Sequence, residues 1–261
     1  MLPTLRSLPA LPIMPIGLAI EVTGAIMTEP PPTTNQDRLD RRDMTGIARF
    51  LHRVGRLKAT LRTGWLDRGI SQAETESVAD HSFRVALIAW LAASITPEAA
   101  SAPALDADRV LRLALIHDLA EALTGDLPPY DPAAIPAAND EIARRCFLDQ
   151  RHVRSAARTT AKRAAEDAAM ADLFSTLPAA VATSLHALWA ELQADTSPEA
   201  RFVKQADKLE TYLQSREYLA RHPAAPMASF AAEIAEELHD RRLAALRDAI
   251  DELDLTEPER P

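Results

Sequence analysis

Cysteine is almost absent: Cys146 is the only one in 261 residues. The chain therefore has no internal disulfide and no thiolate-held metal cluster, and a reducing, cytoplasmic setting is expected. Glycine is scarce, with seven residues, and no stretch shows the alternating apolar pattern of a strand. Basic residues are outnumbered, 29 Lys and Arg against 38 Asp and Glu, for a net charge of −9. That balance argues against a surface built for a nucleic-acid backbone, though not against a small anionic substrate. No apolar run reaches the length of a membrane span.

Proline is plentiful but badly distributed. Seven of the nineteen fall in the first thirty-two residues, and PPPTTNQD (30–37) closes that proline-rich stretch. Proline lacks an amide donor and resists helix, so residues 1–43 are expected to form a disordered leader. Pro9, Pro12 and Pro15 interrupt its apolar run and Glu21 intrudes on it, which weighs against a secretory signal. From Met44 onward Ala and Leu dominate and apolar positions recur at helical spacing, predicting one all-α domain over residues 44–255. Helices are expected near 44–62, 77–95, 106–123, 138–152, 155–175, 178–194, 198–221 and 226–252. Thr96-Pro97 should end the second, Asp106 should cap the third and Gly125 should stop it. Ser197-Pro198-Glu199 has the order of N-cap, first helical residue and first-turn acid. The segment from Asn139 to Met170 is charged on one face and reads as an exposed hairpin or partner-facing arm. Trp90 and Trp189 read as core aromatics, and His152, His186, His222 and His239 as surface or structural residues.

Chemistry concentrates in VLRLALIHDLAEALTGDLPPY. His117 and Asp118 are adjacent in an apolar helix, and Glu121 follows at a spacing that overlies both. An imidazole and a carboxylate are costly to bury unless positive charge lies between them. An isolated His-Asp dipeptide is more often a structural hydrogen bond. Two further candidates change that weighting, His81 in ESVADHSFRVALIAW and Asp207 in RFVKQADKLETYL. Two imidazoles and two carboxylates make a mixed nitrogen and oxygen shell suited to one divalent ion, Mn²⁺, Co²⁺, Mg²⁺, Fe²⁺ or Zn²⁺.

Four blocks, LKATLRTGW (57–65), ESVADHSFRVA (76–86), ALIHDLAEALTGDLPP (114–129) and PEARFVKQADKLE (198–210), resemble the HD-domain superfamily of metal-dependent phosphohydrolases. Within it they resemble the 5'-deoxynucleotidase branch, over about residues 44 to 221. The resemblance implies an HD-type helical bundle with His81, His117, Asp118 and Asp207 as metal ligands and Glu121 as the acid–base residue. It also implies that Asp126 reads the sugar 3'-hydroxyl and that Trp65 packs near the 2' carbon. An aromatic face there would leave a ribose hydroxyl without a partner. Bacterial members carry Arg directly before the Trp, whereas this chain has Gly64 there and Arg62 two residues earlier.

The implied reaction is hydrolysis of 2'-deoxyribonucleoside 5'-monophosphates, with catalysis by Glu121 and Asp118. Arg62, Lys204 and Lys208 are candidates for neutralising phosphate charge. A small nucleotide is the expected partner, with no polymeric nucleic acid, no membrane and a homodimeric assembly. Two other readings stay open: an HD hydrolase for another phosphoester, and a non-catalytic helical protein with a residual metal site.

Overall fold

The computed structural model describes residues 35–95 and 104–256, with side chains from residue 41 onward. Among them the secondary structure is helical, apart from one isolated antiparallel bridge between Leu61 and Ser77. The order is α1 (Asn35–Val54), a 3-10 turn at Gly55–Lys58, α2 (Thr63–Asp67), α3 (Val78–Ser94), α4 (Ala107–Ile116) and α5 (Glu121–Thr124). A second 3-10 turn, Pro132–Ala134, leads to α6 (Glu141–Asp149), α7 (Ala156–Phe174), α8 (Ala179–Ala194), α9 (Pro198–Arg221), α10 (Ala228–Glu237) and α11 (Arg241–Asp251). No described helix is long and apolar enough to cross a membrane.

The organising element is α9. It buries Phe202, Val203, Ala206, Leu209, Tyr212 and Tyr218, and it touches α3, α4, α8, α10 and α11. A helix buried along that much of its circumference must be apolar on more than one face. The main core joins Val85 and Ile88 of α3, Val110 and Leu113 of α4, and Met170 and Phe174 of α7 to this axis.

Caps place the elements that matter for chemistry. At α3, Ser77 Oγ accepts from the Asp80 amide at 3.2 Å while Asp80 Oδ2 accepts from the Ser77 amide at 2.9 Å. This reciprocal pair satisfies two orphan donors one residue before His81. Asp106 caps α4 as expected, and Ser197 with Pro198 opens α9.

Several expected boundaries move. The helix expected from 44 begins at Asn35, so residues 35–43 are helical; the leader's residues 1–34 and the Thr96-Pro97 stop lie outside the described residues. α3 ends at Ser94, with Ile95 extended. The helix expected over 106–123 breaks after Ile116, because His117 Nδ1 donates to the Ala114 carbonyl at 2.6 Å. That carbonyl is the acceptor a continuing α-helix would offer the Asp118 amide. The chain tightens instead, with Leu119, Glu121 and Ala122 amides bonding three residues back. The last expected helix divides at Asp240, whose side chain caps α11. Trp189 is buried as expected, but Trp90 is 40 % exposed, contrary to its reading as core.

Gly46 lies where α1 crosses the α7–α8 connection. A Cβ there would stand 2.0 Å from the Thr176 carbonyl oxygen. Helix propensity alone would make Gly46→Ala stabilising by about 1 kcal/mol. Overpacking should win, and we expect a net loss of about 2 kcal/mol in urea unfolding. A gain in stability would contradict the close approach.

Candidate metal centre and substrate cavity

Three helices bring the expected ligands together. His81 comes from the first turn of α3, His117 and Asp118 from the end of α4, and Asp207 from the middle of α9. His81 Nε2 stands 3.1 Å from Asp207 Oδ1 and 3.5 Å from Asp118 Oδ2, while His117 Nε2 is 3.2 Å from Asp118 Oδ2. Ligand atoms of His81, His117 and Asp207 all lie within 4.8 Å of one another.

The donor chemistry fits a divalent cation. His81 Nε2, His117 Nε2 and Asp118 Oδ2 are buried polar atoms without a hydrogen-bond partner. Such atoms are costly unless something polar meets them. Both rings have their other nitrogen engaged: His117 Nδ1 on the Ala114 carbonyl and His81 Nδ1 on Glu210 Oε2. Partners of that kind fix the tautomer and turn Nε2 toward a metal. Burial works against positive charge on these rings, and Arg62 adds to that at His81. Even so, Glu210 and Asp207 push His81 up to about 10, and Asp118 with Asp207 raises His117. Burial disfavours ionised Asp118 and Asp207 too, yet the two histidines, joined at Asp207 by Lys208, hold both carboxylates well below their ordinary range.

Glu210 is one site residue the sequence reading missed. It is fully buried, three residues after Asp207, and its Oε1 accepts from Arg84 Nε at 2.8 Å. Arg84 is held in turn by Glu217 at 2.8 Å and by Gln214 at 2.5 Å. The signal was present in ADKLE, because residues three apart on a helix share a face.

Beside the cluster opens a cavity of about 220 Å³. Asp118, Glu121 and Asp207 line it together with Arg62, Lys162 and Lys208. Arg62 Nη1 is 3.7 Å from Asp118 Oδ2, and its Nη2 donates to Thr211 Oγ1 at 3.2 Å. Burial opposes its charge, but Asp126, Asp118, Asp207 and Glu121 together secure it. Lys208 pairs with Glu233 at 3.1 Å. Lys204 does not reach this cavity. It pairs with Asp195 at 3.3 Å and lines a second, smaller cavity of about 170 Å³ on another side of His117, Asp118 and Asp207.

Glu121 follows the tightened turn and is 5 % exposed, its Oε2 without a hydrogen-bond partner. Burial raises its pKa well above the usual carboxyl value, and repulsion from Asp118 and Asp126 adds to this against Lys162 and Arg62. Lys162 Nζ lies 3.5 Å from Glu121 Oε1 and also pairs with Glu166. Asp126 follows Gly125, whose φ of 73° with ψ of 167° is a conformation open to glycine and strained for other residues. One oxygen of Asp126 accepts the Thr63 amide at 2.5 Å, tying the loop to the start of α2.

Trp65 is 1 % exposed and borders the cavity. Its indole is wedged between Phe230 and Tyr218, at centroid distances of 4.7 and 5.1 Å, and Nε1 donates to Glu76 Oε1 at 2.9 Å. Burial and the nearby Glu210 push the Glu76 carboxyl up to about 7. The charged segment read as an outward arm instead supplies part of the wall: Arg151, His152, Arg154 and Lys162 all line the cavity. His152, read as surface or structural, packs its ring 4.2 Å from that of Phe147 and also lines the cavity. Arg154 donates to the Leu127 and Pro128 carbonyls at 2.7 and 3.0 Å, clamping the loop that carries Asp126.

A model of the HD domain matches residues 54–247, most of the chain. This protein belongs to the HD domain family. It is 36 % identical over 173 residues to the 5'-deoxynucleotidase HDDC2 of Mus musculus, covering 66 % of this chain and 70 % of that one. It is 35 % identical over 172 residues to the 5'-deoxynucleotidase HDDC2 of Homo sapiens, with 66 % and 68 % covered. Among solved structures, a protein described as a predicted metal-dependent phosphohydrolase from Magnetospirillum magnetotacticum MS-1 is similar at TM-score 0.53 and 25 % identity. That match covers 81 % of this chain and 92 % of the other. Membership accounts for the presence of the HD pair, and the buried orphan nitrogens account for its chemistry.

Adding a divalent ion to chelator-treated protein should raise its melting temperature by roughly 5–10 °C at about a hundred times the dissociation constant. His117→Ala should remove that rise, while Lys204→Ala should leave it. Equal rises in all three proteins would place the ion elsewhere.

Proposed function

We propose that this protein is a phosphomonoesterase that hydrolyses 2'-deoxyribonucleoside 5'-monophosphates to deoxyribonucleosides and inorganic phosphate. The observation that carries the reading is one cavity with two chemistries. One set of its lining residues joins Asp118 and Asp207 to Arg62, Lys162 and Lys208, and another comprises Trp65, Tyr130 and Phe230. A phosphate suits the first and a sugar with its base suits the second. The relatives named 5'-deoxynucleotidase support the same assignment.

His81, His117, Asp118 and Asp207 would hold the cofactor, one of Mn²⁺, Co²⁺, Mg²⁺, Fe²⁺ or Zn²⁺. When bound, such an ion supplies Lewis acidity toward a phosphoryl group and lowers the pKa of a water. Arg62 lies beside Asp118 and offers guanidinium donors to phosphate oxygens. Lys162 and Lys208 add charge on two further sides of the same space. Hydrolysis breaks the bond between phosphorus and O5', and O5' must gain a proton. Glu121 lines the cavity and would handle that proton. Asp126 holds the Thr63 amide with one oxygen and faces the cavity, the position from which a carboxylate can accept a sugar hydroxyl.

Trp65 is the selective element. Its indole is fixed by Glu76, Tyr218 and Phe230 and cannot retreat cheaply. A 2'-hydroxyl against that ring would lose its water without gaining a partner. Phosphate release measured with metal present should be faster from dNMPs than from the matching NMPs. Glu121→Gln should lower turnover at least about 100-fold while metal content stays intact. Equal rates on both sugars would remove the role of Trp65, and no release from any monophosphate would remove the esterase reading.

A further inference from the structure

The ligand cluster stands between two cavities. Of α9, Asp207, Lys208 and Thr211 line the main cavity, whereas Val203, Lys204 and Asp207 line the smaller one. The two therefore flank Asp207 along the helix axis, their α9 residues offset by about four positions, or about 6 Å of helical rise. Asp118, Lys162 and Asp207 line both, so the partition is a single layer of side chains. Lys162 spans it. Its Nζ is 3.5 Å from Oε1 of Glu121, on the main cavity, and pairs with Glu166, on the smaller one. His117 lines the smaller cavity together with Leu192 and Gln193 of α8. His117 Nε2 and Asp118 Oδ2 are buried atoms without a hydrogen-bond partner, so this opening reaches the cluster itself. At about 170 Å³ the smaller cavity has room for roughly ten waters.

We propose that the smaller cavity is the passage by which inorganic phosphate leaves, so that the two products part in different directions. The proposal rests on the phosphomonoesterase reading of the main cavity. Hydrolysis forms a bond from a water oxygen to phosphorus and breaks the bond from phosphorus to O5'. One water proton ends on O5' and the other stays on phosphate. The incoming and departing oxygens lie roughly in line, on opposite sides of phosphorus. With the nucleoside against Trp65, Tyr130 and Phe230, O5' faces the main cavity and the new phosphate faces the cluster. Departure through the main cavity would then have to wait for the nucleoside to leave. The smaller cavity starts at the cluster and is lined by two cations, Lys162 at 21 % exposure and Lys204 at 45 %, an inner and an outer charge on one path. The acids beside them are engaged: Glu166 pairs with Lys162, while Asp118 and Asp207 stand 3.2 and 3.1 Å from His117 and His81. Lys204 pairs with Asp195 at 3.3 Å, and Asp195 is itself 46 % exposed. A surface pair of that kind contributes little and is readily exchanged for a passing dianion. Lys204 thus serves phosphate after the reaction, from the side opposite Lys208 along α9.

Phosphate exchange tests this in the full chain loaded with Mn²⁺, whose unpaired electrons speed the phosphorus relaxation of any inorganic phosphate that visits the cluster and returns to solution. The deoxyribonucleoside of the fastest-cleaved substrate is added to saturation, to occupy the main cavity. In the wild type the enhancement should persist with the nucleoside bound. Gln193→Trp fills the smaller cavity and Lys204→Glu reverses its outer charge. Each should lose most of the enhancement when the nucleoside is present and keep it when the nucleoside is absent, because the main cavity is then open. Both should retain the rise in melting temperature on adding Mn²⁺, which reports an intact cluster. Should Gln193→Trp fold poorly, Lys204→Glu tests the same path from an exposed position. Enhancement abolished by the nucleoside in the wild type would mean that phosphate uses the main cavity, and overturns the proposal. Enhancement that survives the nucleoside unchanged in the folded variants overturns it equally. Failure of the esterase reading would appear separately, as no phosphate released from any monophosphate by the wild type.

Discussion

The imidazole of His81 is gripped from both sides, and the rest of the site follows from that grip. Glu210 holds Nδ1, while Asp207 and Asp118 stand 3.1 and 3.5 Å from Nε2. Both α9 carboxylates point at the same ring because three residues separate them on a helix. Taking so much charge out of water is costly, and the cost is met only when every group has an opposite partner. Arg84 answers Glu210 on the outer side. On the inner side the unsatisfied atoms all face one small volume, which a cation of two positive charges would neutralise. Removing one member strands the others, so His81, His117, Asp118, Asp207 and Glu210 form a unit rather than a list of contacts.

That unit dictates the frame around it. α3, α4 and α9 must converge, and the apolar residues that make them converge are the ones that form the main core. α4 gives up regular helix at His117 so that one imidazole can satisfy the Ala114 carbonyl and still present Nε2. The cavity wall is built separately. Arg68 joins it together by donating to the Gly64, Leu148 and Pro226 carbonyls and to Ser229. One buried guanidinium thus fastens α2, α6 and the approach to α10 around the space beside the ligands.

Much of this was legible in the sequence. The helical class followed from scarce glycine and the absence of alternation. His117 and Asp118 stood out as adjacent polar groups in an apolar helix, and His81 and Asp207 joined them as distant candidates whose role as ligands the resemblance implied. Asp126 was placed at the site by resemblance, Arg62 and Lys208 were candidates for neutralising phosphate charge, and the cavity gathers all three. What escaped has physical causes. Glu210 escaped notice, since sequence does not reveal which side of α9 is covered by α3. The wall from Arg151 to Lys162 carried the same charged pattern as a solvent-facing arm, and only tertiary contact distinguishes the two. Trp90 was read as core from its neighbours, although the helical phase sets it with Phe83 and Leu91, opposite Val85 and Ala89. Lys204 shared the Asp207 helix but points to the other side of the cluster. The break at His117 depended on a side chain competing for a backbone carbonyl, which periodicity does not report.

The most direct test of the central claim is diffraction from crystals of the protein grown with Mn²⁺, using the metal's anomalous signal. The account requires a peak enclosed by His81 Nε2, His117 Nε2 and carboxylate oxygens of Asp118 and Asp207, with Glu210 on the far nitrogen of His81. An ordered cluster of these side chains with no peak among them, or a peak bound elsewhere, would contradict it.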